Sequence, residues 1–524
     1  MNPHLITPLK HLRQLILGIP LDGQPESRAN RLQTLRSFEP ELEAFIEPVS
    51  PSSLPRLSTQ IVINWAKSFF PFTNWLFKYR PEWIVGDLVA GLTVGMVVIP
   101  QGMAYAKLAE LPVEFGLYGS FMAVSIYWLF ATSKDITIGP VAVMSQLTGT
   151  IVSKAAVTLP EVPAHVVASS LAFVSGCILF ALGFLRLGFV VDFIPAPAIA
   201  AFMTSSAINI IAGQIPTMLG ISRRLDTRGP TYMVIIHTIQ ELPHASIEAI
   251  IGLTSLATLC GLKFILPRLS GRGAMRPKVM EVLVCLRSIL VLLFYTLLAY
   301  LLTLQHPSSP PIAILGHISP GLTVIGPPQL DSKIISTFAS SLPAVLIVLV
   351  IEHIAIAKSF ARINHYTISP SQELIAIGIS NIFGPFVGAY PVTGSFSRTA
   401  LKSKAGVRTP LAGIITGSLV LLAIYALTGV FYYIPNAVIS SVIIHAVTDL
   451  IVWPPTAYRT FWRVSITDGL LFLAGVCVAI FTNIEIGIYT TVLASLARLL
   501  FRFLPPPFLL RRHLQTSLTC AFQF

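Results

Sequence analysis

Residues 135–149 have the sequence DITIGPVAVMSQLTG, and residues 389–406 have the sequence AYPVTGSFSRTALKSKAG. In each stretch a short extended run meets a glycine, and a helical pattern follows. In the first stretch Pro140 stands close to the first helical position, where its missing N–H would have had no intrahelical partner. Both stretches therefore predict a helix that starts abruptly after an extended segment.

The composition of the whole chain indicates the surroundings of these two helices. Of 524 residues, 54% are hydrophobic and only 11% are charged, and the mean hydropathy is +0.76. A soluble chain carries about 25% charged residues, so lipid must take the place of water around much of this surface. Apolar stretches of about twenty residues recur, enough to cross a hydrocarbon core of roughly 30 Å. The sequence predicts an all-α polytopic protein of the lipid bilayer.

We predict about fourteen transmembrane segments in two groups of seven. The first group is 86–108, 114–131, 137–157, 165–185, 190–213, 247–267 and 279–304, and the second is 334–358, 371–389, 393–408, 410–431, 434–452, 465–483 and 485–503. An odd number of segments in each half gives the halves opposite orientations, which is the inverted repeat of many secondary transporters. The two stretches quoted above are the third segments of their halves. Interrupted segments at matched places indicate a substrate site.

The physical consequence of two such half-helices is a site for an anion. A helix N-terminus exposes unpaired N–H groups and about half a positive charge, and two starts that face each other would enclose a pocket that favours negative charge. Ser395 and Ser397 can donate hydrogen bonds there, and Arg398 can supply a full charge. The alternative is that both stretches are ordinary helices interrupted by glycine. Arg398 could also be a structural counter-ion, or its side chain could extend to the membrane surface.

The opening segment of each half should pack beside these half-helices. In the first, Gln101 and Tyr105 are four residues apart and share a helix face, so both could line the site. Gln101 could instead satisfy backbone groups freed by Pro100.

In the second, Glu352 lies deep in an apolar run and is a candidate proton carrier, because desolvation favours the neutral carboxyl. Alternatively Glu352 forms a permanent ion pair with Arg398 or Lys358. His353 points about 100° away, and we leave it out of the site as a packed or backbone-bonded histidine.

The charge distribution argues against nucleic acid as a partner and sets the orientation. The net charge is +12, but the basic residues lie at segment ends and in short connections, as the positive-inside rule expects for a cytosolic N-terminus. Three arginines, Arg223, Arg224 and Arg228, do not fit this orientation. We predict a largely disordered cytosolic tail at 1–61, an interfacial amphipathic segment at 62–85, inverted repeats at 86–304 and 334–504, an extracellular connection at 305–333 and a short cytosolic tail at 505–524.

Neither a metal site, a cofactor nor an enzymatic activity is indicated. Five cysteines are present without a CxxC pair or paired spacing. The chain has no phosphate-binding loop and no nucleophile elbow.

Two long motifs identify a family resemblance. Residues 86–122, GDLVAGLTVGMVVIPQGMAYAKLAELPVEFGLYGSFM, resemble the signature of the SulP family of sulfate permeases and related anion exchangers. Residues 351–413, which include IEHIAIAKSFARINHYTISPSQELIAIGISNIFG, are similar to the fungal sulfate permeases in particular. The resemblance covers about residues 75–504.

The resemblance implies an architecture and a set of site residues. A core of segments one to four and eight to eleven would move against a gate of segments five to seven and twelve to fourteen. The anion site would lie between the third and tenth segments, at the following positions: Gln101, Tyr105, Val141, Ala142, Ser395, Phe396, Ser397 and Arg398. Glu352 matches the acidic residue to which proton coupling is ascribed in plant and fungal members.

One departure from the family pattern concerns the end of the chain. The resemblance implies a cytosolic STAS domain after the last segment, and the tail at 504–524 does not resemble its beginning. In the family this domain supports dimer assembly and trafficking. We therefore expect a transmembrane region without it, as a possible homodimer in the plasma membrane.

Three hypotheses of function follow. The first is proton-coupled uptake of sulfate by alternating access, with chromate, selenate or molybdate as secondary substrates. Uptake of a dianion into a negative cell costs roughly 4.6 kcal/mol per 100 mV, which calls for co-transported cations. The second is an exchanger or channel of the same fold for chloride, bicarbonate or other oxyanions. The third is an inactive truncated paralogue or sensor.

Overall fold

A computed structural model describes most of the chain. The described residues are 69–189, 196–225, 229–270, 277–305, 312–316, 318–463, 465–482 and 484–503. The predicted tails at 1–61 and 505–524, and the first part of the predicted interfacial segment, lie outside these residues.

Helices occupy all fourteen predicted segments. We label them α1 (Pro81–Leu108), α2 (Val113–Phe130), α3 (Ala142–Thr158), α4 (Ala164–Phe184), α5 (Ala196–Met218), α6 (Ile247–Ser270), α7 (Pro277–Gln305), α8 (Leu342–Ile363), α9 (Pro370–Phe383), α10 (Phe396–Lys404), α11 (Ala412–Ala426), α12 (Asn436–Val447), α13 (Ile466–Phe481) and α14 (Ile484–Phe503). Eight helical segments of the described residues are long and apolar enough to cross a membrane. The half-helices α3 and α10 are shorter and are not among these eight.

Several boundaries differ from the prediction for local reasons. The first helix begins at Pro81, earlier than predicted, because proline suits the first helical position. The predicted segment 334–358 is divided: Ser332–Phe338 is a separate short helix capped by the Asp331 carboxylate, and α8 begins only at Leu342. A ten-residue helix at Thr231–Gln240 was not predicted.

The remaining short elements lie between the labelled helices. They are the helices Phe72–Leu76, Thr428–Phe431 and Pro454–Ala457, the π-helix Tyr458–Trp462, and the 3-10 turns Ser222–Arg224, Leu242–His244, Gly384–Val387 and Thr448–Leu450. Just before the helix Phe72–Leu76, the Phe69 ring contacts the Phe184 ring of α4. The Phe72 and Trp75 rings of this helix pack against Trp128 of α2. Part of the predicted interfacial segment therefore packs on α2 and α4.

Two short strands precede the half-helices. Strand β1 (Ile138–Gly139) leads into α3, and strand β2 (Thr393–Gly394) leads into α10. They form an antiparallel pair in which Ile138 lies opposite Gly394 and Gly139 opposite Thr393. The extended stretches were predicted and are confirmed, whereas their pairing with each other was not predicted.

The helices form two packed groups that agree with the expected core and gate. In the core, α4 packs on α9, and α11 packs on both α1 and α2. In the gate, α5 packs on α12 and α13, and α6 packs on α7 and α12. The groups meet where α1 contacts α7 and α12, and where α3 contacts α5.

Close helix contacts in the core depend on glycine. A Cβ atom at Gly378 of α9 would lie 2.6 Å from the backbone nitrogen of Phe180 on α4, and one at Gly176 of α4 would lie 2.8 Å from the carbonyl carbon of Asn381 on α9. Small residues let membrane helices approach closely and gain van der Waals contact. The α4–α9 contact is therefore a rigid part of the frame around the half-helices.

We expect Gly378→Ala to destabilise the fold by about 1–3 kcal/mol, since the added methyl group must push α9 away from α4. The midpoint of thermal unfolding in detergent should fall by several degrees. Gly213→Ala in α5 is the matched control, because no atom lies within 4 Å of its added Cβ. Equal midpoints for Gly378→Ala and wild type would show that the close α4–α9 contact contributes little to stability.

Candidate anion-binding site

The two strands place the starts of both half-helices at one point. Because β1 and β2 are antiparallel, α3 and α10 run away from the pair in opposite directions. The backbone N–H of Ser395, at the start of α10, donates to the Thr137 carbonyl at 3.1 Å. The N-terminal ends of α3 and α10 therefore face a common centre, as predicted from the sequence, and neither stretch is a continuous helix.

The helix starts retain unpaired donors. Val141 is the N-cap of α3 and Ser395 is the N-cap of α10, and in the described structure neither side chain caps its own helix. The first-turn N–H groups of a helix have no intrahelical acceptors, and they carry the positive end of the helix dipole. Val141, Ala142 and Phe396 thus bring backbone N–H groups, rather than side chains, to the site.

Arg398 spans the centre between the two helix starts. Its side chain is fully buried, at 0% exposure, and Nη2 donates to the Pro140 carbonyl at 2.7 Å. A Cβ atom at Gly139 would lie 3.3 Å from both Nη1 and Nη2, so the glycine leaves room for the guanidinium against β1. The side chain does not extend to the membrane surface.

The remaining donors of Arg398 are available. Its Nε and Nη1 atoms are buried without a hydrogen-bond partner among the described residues. Buried unpaired donors on a charged group are costly. An anion at the centre would satisfy them.

Glu352 approaches Arg398 from α8. It is 7% exposed, and its Oε2 atom has no hydrogen-bond partner in the described part of the chain. Glu352 and Arg398 attract each other electrostatically, but no ion pair joins them among the described salt bridges. The predicted permanent pair between these two residues is therefore not formed in this conformation.

Gln101 and Tyr105 lie on the buried face of α1, which packs on both α3 and α10. They are 6% and 5% exposed. The Gln101 side-chain oxygen has no hydrogen-bond partner within the described residues, so this atom does not satisfy backbone groups near Pro100. Tyr105 and Arg398 interact electrostatically.

The side chains at the start of α10 differ in what they can contribute. The Ser395 and Ser397 hydroxyl groups lie 3.4 Å apart and form a weak mutual contact that a ligand could replace. The Phe396 ring is 42% exposed and packs at 5.5 Å from the Phe360 ring of α8. We therefore assign Phe396 a role through its backbone only.

Unsatisfied polar atoms concentrate at this centre. The described residues contain nine buried side-chain nitrogen or oxygen atoms without a partner, and five of them belong to Gln101, Thr137, Glu352 and Arg398. Buried polar groups are normally hydrogen-bonded, so a cluster of exceptions calls for an explanation. The explanation that fits their position is a site built for a polar ligand.

Sequence reasoning did not identify the residues that support the site. The Ser145 hydroxyl of α3 lies 3.0 Å from the Tyr390 hydroxyl, which links the two halves. The Asn381 side chain accepts from the N–H of Val392 at 2.8 Å and donates to its carbonyl at 2.9 Å. Tyr390 lies in the quoted stretch 389–406, where a tyrosine in an extended segment could have indicated a supporting role. Asn381 lies in α9, and nothing in the sequence around it indicates such a role.

Lys402 of α10 was also not identified. It is 3% exposed, and its Nζ donates to the Ile136 carbonyl at 3.0 Å. Lys402 lies one turn beyond Arg398, and Pro140 lies the same number of residues beyond Ile136. Arg398 and Lys402 therefore hold the extended stretch at two places, one on each side of β1.

The fold and this polar centre together define a polytopic membrane protein in which two opposed half-helices meet between a core and a gate, an arrangement typical of secondary transporters. The model of the "Sulfate permease family" matches residues 84–475. The chain belongs to the sulfate permease family.

Several curated fungal relatives are similar over most of this chain. Sulfate permease 2 of Neurospora crassa is 47% identical over 494 residues, which is 94% of this chain and 59% of the relative. Sulfate permease 2 of Saccharomyces cerevisiae is 41% identical over 488 residues, which is 90% of this chain and 54% of the relative. The chain thus spans little more than half the length of these relatives.

Solved structures support the fold. The structure of SLC26A9 matches with a TM-score of 0.75 at 24% identity, covering 85% of this chain and 70% of that chain. The transmembrane domain of the cyanobacterial bicarbonate transporter BicA matches with a TM-score of 0.64 at 16% identity, covering 80% of this chain and 98% of that domain.

We expect Arg398→Gln to weaken anion binding by about thirtyfold or more, because loss of one member of a buried charged contact costs at least about 2 kcal/mol. Binding of radiolabelled sulfate to purified protein measures the change. Arg362→Gln is the matched control, since Arg362 is exposed near the end of α8. Unchanged affinity in a folded Arg398→Gln protein would exclude Arg398 from the anion site.

Proposed function

We propose that this protein transports sulfate, or a closely similar tetrahedral oxyanion, across the membrane in company with protons. The observation that carries the proposal is the buried guanidinium of Arg398, which lies between two opposed helix starts and has two N–H-bearing nitrogens without a partner in the described part of the chain. That arrangement favours a ligand with negative charge and several acceptor oxygens.

The chemistry of the centre suits an oxyanion that has lost its water. Such an ion needs several donors at once. Arg398 offers a charged planar fork, the starts of α3 and α10 offer backbone N–H groups, and Ser397 and Tyr105 offer hydroxyl groups. Donors from both half-helices converge, so the ion would hold the two halves of the core together.

Sulfate is the preferred substrate because the similar fungal proteins are named sulfate permeases. These relatives are longer than this chain, so sulfate transport by this chain is a proposal. Selenate, chromate and molybdate have the same shape and charge, and we expect them to compete with sulfate for the same donors.

Transport would proceed by alternating access, with the core moving against the gate in an elevator-like manner. The proposed site lies within the core, and the core meets the gate along α1 and α3. One polar contact at this boundary is the hydrogen bond from Lys107, near the end of α1, to Asn436 at the start of α12. Movement of the core would break this contact while the anion stays with Arg398.

Glu352 provides a physical basis for proton coupling. When ionised, its carboxylate offsets the charge of Arg398, and the centre then attracts an anion weakly. When a proton neutralises Glu352, the positive charge of Arg398 is no longer offset and anion binding is favoured. Proton binding and anion binding would therefore promote each other, as linkage requires.

We further propose the plasma membrane as the location, with both chain termini in the cytosol and residues 305–333 on the outer side. A homodimer is an additional proposal. These proposals rest on the family and on the charge distribution of the sequence.

The test of function is uptake of radiolabelled sulfate, as a function of external pH, in cells that lack their own sulfate permeases. Expression of this chain should give uptake that rises as the external pH falls. Absence of uptake, with the protein present in the plasma membrane, would overturn the proposal. Uptake driven only by an internal counter-anion would favour the exchanger instead.

We expect Glu352→Gln to weaken the dependence of sulfate uptake on pH, because the amide cannot take up or release a proton. Exchange of external labelled sulfate for internal sulfate should persist, since glutamine resembles the protonated acid in shape and charge. Both fluxes are measured in proteoliposomes with and without a pH gradient. A variant whose uptake depends on the pH gradient as strongly as that of wild type would remove Glu352 from the coupling step.

A further inference from the structure

A buried acid–base pair lies behind β2 and joins α8, at the residue next to Glu352, to α9. The His353 Nε2 atom lies 2.9 Å from Glu373 Oε2 of α9, and both side chains are 0% exposed. The pair was not predicted, and the proposed transport step through Glu352 does not use it. Two buried ionisable groups within the transport core need a physical reason, because burial of charge is costly.

Glu373 is surrounded by donors. Besides His353, its carboxylate accepts hydrogen bonds from the Tyr127 hydroxyl at 2.7 Å, from the Thr132 N–H at 2.8 Å and hydroxyl at 2.5 Å, and from the Ser133 N–H at 2.8 Å. These four partners are donors, and hydrogen bonds to a carboxylate favour its ionised form. Glu373 therefore presents a fixed negative charge to His353.

The other nitrogen of the His353 ring, Nδ1, is available to bind a proton. This atom is buried and has no hydrogen-bond partner among the described residues. A Cβ atom at Gly394 would lie 3.1 Å from Nδ1, so this nitrogen lies directly against β2, one residue before the start of the anion site at Ser395. With Nε2–H donating to Glu373, the Nδ1 lone pair can accept a proton, and Glu373 balances the resulting charge.

We propose that His353 is a second proton-binding site of the transport cycle, in addition to Glu352. This inference rests on the proposed function. The proton comes from water on the outer side and forms an Nδ1–H bond, which gives an imidazolium paired with the Glu373 carboxylate. The same N–H bond breaks on the inner side, and the proton returns to water.

Charge balance is the consequence. One proton on Glu352 and one on His353 carry two positive charges, and sulfate carries two negative charges. The loaded core would then have the same net charge as the empty core, so the membrane voltage would not oppose uptake. With Glu352 alone, each cycle would carry one net negative charge into the cell against the voltage.

The charged and titratable groups around the pair come from several elements. Tyr127 of α2 packs edge-on against the His353 ring, with centroids 5.7 Å apart. Asp135, before β1, acts electrostatically on Tyr127, and Tyr366 bonds Ser133 at 2.7 Å. Glu352 is the neighbour of His353 on α8, and Arg398 of α10 acts on Glu352. Glu373 is the acid in direct contact with the imidazole.

The test measures coupled proton and sulfate fluxes in proteoliposomes of the full chain. Sulfate uptake is followed with the radiolabel and proton uptake with an internal pH dye, and the membrane voltage is set by a potassium gradient with valinomycin. We expect wild type to take up two protons per sulfate at a rate that the voltage does not change. His353→Asn should take up one proton per sulfate, and an inside-negative voltage should slow its uptake.

Two further variants separate a proton site from a structural role. Glu373→Gln removes the balancing charge, and we expect the same shift from two protons to one. His165→Asn changes a half-buried histidine of α4 that stacks on Phe115, and it should keep the wild-type ratio. Sulfate–sulfate exchange, which needs no net proton movement, should persist in His353→Asn and establishes that the variant is folded.

The outcomes distinguish this inference from the proposed function. A wild-type ratio of one proton per sulfate, or a ratio of two that His353→Asn retains, would overturn the role of His353 and leave sulfate transport through Glu352 standing. Sulfate uptake without any proton uptake would overturn the coupling and this inference together.

Discussion

The contact between the Arg398 guanidinium and the Pro140 carbonyl holds the centre of this protein together. Arg398 belongs to the second half of the chain and Pro140 to the first, and the strand pair β1–β2 sets the distance between them. This hydrogen bond and the strand pair keep the two helix starts close together although their partial charges have the same sign. A buried cation there would be unfavourable unless a ligand offset the free-energy cost of removing the cation from water. An anion bound beside Arg398 would offset this cost.

The surrounding core is organised to keep that centre rigid. Glycine contacts bring α4 and α9 together, the Asn381 side chain holds the unwound chain at Val392, and the Lys402 ammonium holds the stretch before β1 at Ile136. The gate contacts this body mainly through α1 and α3. A preorganised core beside a separately packed gate is the arrangement that movement of one body against the other requires.

Much of the fold and part of the site could be predicted from the sequence. Apolar length and the Gly-Pro and Thr-Gly interruptions at 139–140 and 393–394 predicted the membrane helices and both half-helices, because these signals are local. Glu352 was noticeable as a charge in an apolar run, and Arg398 as a charge one turn into a half-helix expected near the middle of the membrane. The strand pairing and the His353–Glu373 pair depend on contacts between residues far apart in the chain or on different helices. Local patterns carry no information on such contacts, and Glu373 has the appearance of an ordinary helix-start acid.

The central claim is that an oxyanion binds between the two helix starts and takes up the free donors of Arg398. The most direct measurement is a pair of cryo-electron microscopy maps of the purified protein, one at saturating sulfate and one without it. We predict a tetrahedral density within hydrogen-bond distance of Arg398 Nη1 and of the first-turn N–H groups of α3 and α10, present only with sulfate. An empty centre at saturating sulfate, or an anion bound elsewhere in the core, would contradict the account.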